Sequence, residues 1–323
     1  MSSVSGSSAA PLSPSDGEAG LASWDPADVA GLLLPAWDEF IGTAGAVDLD
    51  APTRLTGWNA RAVCVHLGSW PGSRSYQRMR QEATSDDGSA ATDWADRRSA
   101  TFDQDAHNEA LVASERHAPR ADVVAALQEA RDDIAAHFAT GDAAELGTRP
   151  VRSVLGPLPL TTLIAASAYE LAIHTLDLAP AGVSGPSPGL LSAGLAALVD
   201  TTGALAARCD ITASAACLSP EDGWAFASGQ GAWTTLELPE VPGTWPAVQG
   251  DAADILDASA GRRGVPAMLA RRDLRLHHVG GLLALAPIVE AVPGLPGGPA
   301  LAAAVRNVRG LSRLVRRIPG IPG

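Results

Sequence analysis

The chain has 323 residues, 46% of them hydrophobic and 18% charged, with a formal net charge of −13 at neutral pH. That length accommodates about two globular domains at ~150 residues each. The acidic balance excludes the generally basic surface that nucleic-acid binding requires, and the basic residues, 23 in all, are all Arg.

Residues 1–23 read as a Ser/Pro/Gly-rich disordered tail, too polar to fold alone. A first helix is predicted from Asp25-Pro26, an N-cap followed by proline in the first turn, to about Ala44. TRLTGWNA is a loop, and Asn59 caps a second helix carrying Val63, His66, Leu67 and Trp70. Residues 83–97 form a polar loop, and a third helix spans 98–117. Pro119 introduces a further helix, which Gly141 closes. After the Gly/Pro-punctuated stretch 142–160, a helix runs from about Leu160 to Leu178.

The segment 180–189 holds three Pro and three Gly, which places a domain boundary there. Beyond it come a helix at 190–207, strands in GWAFASG and AWTTLELPE, a helix near 251–260, a strand at 273–278 and a helix at 281–291. The domain plan is therefore a 1–23 tail, a 24–180 helical unit, a 181–189 linker, a 190–299 α+β unit and a basic 300–323 segment.

Chemistry concentrates in YELAIHTLDLA, residues 169–179. On a helix, His174 lies about 40° from Glu170, and Asp177 about 20° to its other side. Three ionisable groups then share one stripe of an otherwise apolar helix, where they need partners. Glu170 and His174 at i, i+4 can ligate one metal; a buried Glu–His hydrogen bond is the alternative. His66, in the apolar context VCVHLG, adds a third donor. Two His and one carboxylate with an open position is the catalytic zinc pattern, and it also suits iron(II). Asp177 either accepts a hydrogen bond from an imidazole N–H or solvates the end of the helix.

GWNARAVCVHLG (57–68) and the E-x-x-x-H-x-x-D of YELAIHTLDLA resemble, in order and separation, the two signature elements of the mycothiol-dependent maleylpyruvate isomerase family. The resemblance covers about residues 24–180. It implies a DinB-like four-helix bundle followed by a smaller α+β domain. It also implies a divalent metal, zinc as a rule, on His66, Glu170 and His174, and mycothiol as the thiol cofactor. VQGDAADILDASAGRRG resembles the sterol-carrier-like domain that often follows the bundle, although DILDASA replaces the usual Leu-rich run.

The implied activity is cis–trans isomerisation of a small molecule through thiolate addition and elimination. Mycothiol S-transfer to another electrophile is an alternative, as is a non-catalytic metal-binding protein with an apolar-ligand domain. Arg262 is the leading candidate to line the thiol pocket, ahead of Arg263, Arg271 and Arg272.

Other polar groups carry less. Cys64 points ~160° away from His66 and is expected to be a core thiol. His107, Asn108 and Glu109 are expected on a solvated face, with His107 or Glu109 as the possible fourth ligand of a structural site. His277 and His278 are expected to satisfy local bonds. Arg306, Arg309, Arg313, Arg316 and Arg317 form a basic helical face, expected to dock on the acidic body or to be solvated, with contact to an anionic membrane as the alternative. The odd cysteine count (Cys64, Cys209, Cys217) suits a reducing compartment. With no signal-peptide pattern and no uninterrupted apolar run of bilayer length, a cytoplasmic chain without a transmembrane segment is expected.

Overall fold

In a computed structural model, residues 13–71, 74–85, 104–238 and 245–291 are described. A helical N-terminal part precedes a part that contains a five-stranded sheet. Helix α1 (Pro26–Ala46) begins where Asp25 accepts the Ala27 N–H, with Pro26 in the first turn. Asn59 caps α2 (Ala60–Leu67) through the Ala62 N–H. Trp70 lies beyond the end of α2, and its indole N–H donates to the Val65 carbonyl at 2.9 Å.

Helices α3 (Ser75–Thr84) and α4 (Gln104–Ser114) follow; α3 is an addition to the sequence reading, and α4 is the described portion of the helix expected at 98–117. Most of the expected 83–97 loop lies outside the described residues. Next come α5 (Arg120–Phe138), the short α6 (Ala143–Gly147), a two-stranded ribbon of β1 (Pro150–Val151) and β2 (Leu158–Pro159), and α7 (Leu160–Asp177). Around the bundle α1 touches α5, α5 touches α2, α2 touches α7, and α7 returns to α1. That ring makes α2 and α7 neighbours.

Helix α8 (Pro188–Arg208) starts at Ser187, whose side chain caps the Leu190 N–H. By length and composition it is apolar enough to cross a bilayer. Here it is a core helix, packed on α7 on one side and on the sheet on the other. Its Gly194 lets the two helices approach, since a Cβ there would lie 2.9 Å from that of Ala172.

The sheet comprises β3 (Ala213–Leu218), β4 (Gly223–Gly229), β5 (Ala232–Glu237), β6 (Ala247–Gly250) and β7 (Leu274–His277), in the order β5-β4-β3-β6-β7. Only the β3–β6 pair is parallel. Helices α9 (Ala252–Ser259) and α10 (Val265–Arg271) lie between β6 and β7, and α11 (Val279–Leu282) and α12 (Ala286–Ala291) follow β7. One continuous apolar core runs from Leu21 through the bundle and α8 to Ile288. The packing of α8 thus crosses the boundary expected at 180–189.

The expected 1–23 tail needs correction at its C-terminal end. Leu21 is fully buried, the Trp233 N–H donates to the Glu18 carbonyl at 3.0 Å, and Ala19 pairs with Trp233 at the β5 edge. The fully buried Asp200 accepts from the Leu21 N–H at 2.9 Å, the Thr162 hydroxyl at 2.8 Å, the Trp233 indole at 3.0 Å and the Thr235 hydroxyl at 2.7 Å. Gly20 has φ +54, and a Cβ there would meet Asp200 and Trp233 at 2.1 Å. Polar composition alone misjudged this segment because its fixed points are supplied by residues far along the chain. Residues 300–323, with their basic stripe, lie outside the described residues.

A candidate three-donor metal centre

The last turn of α2 and the C-terminal half of α7 face each other, and His66, Glu170 and His174 meet between them. One donor atom from each lies within 4.8 Å of the other two. His174 Nε2 is 3.4 Å and His66 Nε2 3.9 Å from Glu170 Oε2. The imidazole rings meet edge to face at 5.2 Å between centroids. His174 is buried, whereas the Glu170 side chain keeps 44% of its surface open.

The lone pairs are aimed by what lies behind them. Asp177, fully buried, sits 3.1 Å from His174 Nδ1. Its carboxylate only accepts, so Nδ1 carries the proton and Nε2 is left to face Glu170. Asp177 is thus turned inward to His174 and away from solvent. Burial disfavours the charged forms, but at Asp177 the hydrogen bonds from His174 and Arg262 outweigh it and hold the carboxyl below its usual range. At His174 burial is likewise overcome by Asp177 and Glu170, raising its pKa. At Glu170 the two imidazoles outweigh burial and keep the carboxyl ionised to well below its ordinary range. A cluster of this kind is balanced either by protons or by a cation that replaces them.

His66 has no such support. Its Nδ1 is buried without a hydrogen-bond partner, and its ring lies 5.4 Å from that of Trp58. The Trp58 indole N–H in turn donates to Glu109 at 2.8 Å. Glu109 is thereby engaged and exposed, and His107 is exposed; among the described residues no fourth His, Cys, Asp or Glu joins the three.

Three donors with convergent lone pairs, one of them an ionised carboxylate, fit a divalent cation with an open position. Cys64 is fully buried in the core, where burial pushes its thiol up to about 12. Cys209 and Cys217 lie in the sheet-containing part, and all three cysteines are free.

Arg262 comes from the turn after α9 and grips Asp177, with Nη2 at 3.0 Å from Oδ2. Arg263 pairs with Asp254 and Asp273, and Arg271 with Asp273. His277 Nε2 bonds Gln249 Oε1 at 2.8 Å. Sequence reasoning missed Arg54 and Asp257. Arg54 reaches both Asp177, at 3.1 Å, and Asp257, at 2.7 Å. An Asp on the buried face of α9 was the available signal for the second; a loop Arg offers none.

Fold and site together define a helical bundle carrying a His–Glu–His centre, followed by a sheet-containing α+β part. Residues 33–179 match the family model of the mycothiol maleylpyruvate isomerase N-terminal domain. Two solved structures are similar. One is a mycothiol-dependent maleylpyruvate isomerase, at 14% identity and a TM-score of 0.46, covering 76% of this chain and 92% of that one. The other is a histidine-to-alanine mutant of a mycothiol-dependent maleylpyruvate isomerase, at 13% identity with the same TM-score and coverage. No curated protein matches.

Proposed function

We propose that the chain is a metal- and mycothiol-dependent enzyme of the maleylpyruvate isomerase type, with His66, Glu170 and His174 as ligands of one divalent ion, zinc foremost. The observation that carries this reading is the convergence of three donors without a fourth among the described residues. Bound there, the cation would supply Lewis acidity that keeps a coordinated thiol ionised near neutral pH.

The chain's own residues would do the rest. Asp177 fixes the His174 ring with Nε2 forward, and Glu170 contributes the negative charge. Trp58 walls the side of His66. Arg262, whose Nε and Nη2 hold Asp177 and whose side chain is 30% open, would take an anionic group of the thiol or substrate on its open edge. The nucleophile has to come from outside, because the Cys64 thiol is inert where it lies. Addition of an external thiolate to an activated double bond, rotation and elimination give cis–trans isomerisation. A helical domain over 24–180, a sterol-carrier-like domain over 190–299 and a cytoplasmic setting belong to the same reading.

The test is metal analysis of the purified protein, followed by turnover of maleylpyruvate by the zinc-loaded form with mycothiol, with glutathione and with no thiol. Zinc near one per chain and activity only with mycothiol are expected. Full activity without thiol refutes the mechanism. Metal binding with no turnover of maleylpyruvate, but with conjugation of another electrophile, moves the activity to S-transfer.

A further inference from the structure

We propose that Arg54 is a positioning residue for the His–Glu–His centre. It acts through Asp177 and is anchored by Asp257, so that cation affinity depends on how the sheet-containing part docks. The inference rests on the reading of that centre as a cation site.

Arg54 belongs to the loop between α1 and α2, and its backbone N–H donates to the Asp177 carbonyl at 2.9 Å. Its Nε and Nη2 donate to Asp177 Oδ1 at 3.2 and 3.1 Å. Its Nη1 and Nη2 grip Asp257 bidentately at 2.8 and 2.7 Å. The Asp257 carbonyl accepts the Arg262 N–H at 2.8 Å, and the Arg262 guanidinium returns to Asp177. The ring thus closes through three parts of the fold: the loop leading to His66, the end of α7 that carries His174, and the turn after α9. Two carboxylates face two guanidiniums, so the charges balance in place. Asp177 is left with one job toward the centre, accepting from His174 Nδ1. Only a planar fork can clasp two carboxylates at once; an ammonium at the same place keeps the charge and loses the clasp.

The experiment compares Arg54→Lys with Arg263→Lys, which loosens ion pairs of the same region that do not reach Asp177. Zinc affinity is measured by chelator competition at fixed pH, with circular dichroism to confirm the fold. In the metal-free proteins, NMR follows exchange of the His174 Nδ1–H proton with solvent. Arg54→Lys is expected to weaken zinc about tenfold, the lower end for loss of an outer hydrogen-bond partner, and to speed that exchange. Arg263→Lys should change neither. Zinc binding by Arg54→Lys as tight as wild type, or equal weakening by Arg263→Lys, overturns the proposal. If the wild-type chain takes up no zinc, the functional reading fails separately. The exchange measurement then decides on its own, and unchanged exchange in Arg54→Lys refutes the positioning role.

Discussion

Asp200 separates two costs that are usually entangled, the loss of hydrogen bonds and the burial of a charge. It accepts from four donors, and among the described residues no cation pairs with it; burial outweighs those donors and raises its pKa. Asp200→Ala leaves the Leu21 N–H and the Trp233 indole N–H buried without an acceptor, while the two threonine hydroxyls can rotate. At ~1–3 kcal/mol per orphaned donor, the expected cost is about 4 kcal/mol. Asp200→Asn keeps an oxygen for the three donors on Oδ1, offers its NH2 to the Thr162 oxygen and removes the charge. It is expected to cost about 1 kcal/mol or less.

The sign with pH follows from the raised pKa. The native state holds its proton longer than the unfolded chain, so wild type loses stability as pH rises from ~3.9 through the folded value. The gap between wild type and Asp200→Asn should therefore be widest in acid and narrowest at neutral pH. Urea unfolding of the three proteins at pH 4.5 and 7 measures it. If Asp200→Asn is as costly as Asp200→Ala, the charge itself is needed and the reasoning fails.

His174→Ala should abolish zinc binding, weakening it by more than ~100-fold, the upper end for loss of a mere outer partner. The helical circular dichroism should survive, because the core is continuous without the ion; wild-type zinc content would exclude His174 as a ligand. His137 gives a second pH signature. Burial, then Arg80 2.7 Å from its Nδ1, push it down to about 4, so the folded state keeps it neutral while the unfolded chain protonates near 6.5. That contribution is complete above pH ~6.5 and is lost as pH falls toward 4, amounting to roughly 3 kcal/mol at ~1.4 kcal/mol per pH unit. His137→Gln should flatten the stability–pH curve over that window, and an unchanged slope in urea unfolding refutes the assignment.

The sequence made legible what short-range physics decides. Asp25-Pro26 and Asn59 cap helices through their own neighbours, and helical spacing alone puts Glu170, His174 and Asp177 on one stripe. What escaped is held by distant partners or lacks a pattern. Helix α3 is polar and buries only Ala83, so no apolar stripe marks it. Strand β3, ASAACL, lacks the β-branched alternation that flags a strand, and β6 has only four residues. Arg54 sits in a loop 123 residues before Asp177, where nothing local distinguishes it from a solvated arginine.

The two donors on α7 are spaced by the helix itself, so their separation costs the fold nothing beyond forming that helix. Only the approach of α2 to α7 remains to be set before three donors converge. Neighbouring positions in the bundle ring and the Arg54 contact to the end of α7 both act on that distance. A centre assembled this way does not need a cation to fold, unlike a small zinc domain whose folding energy is its binding energy. Metal affinity and folding stability should then vary independently across variants. A His174→Ala protein that loses its helices together with its zinc would show instead that the ion holds the bundle together.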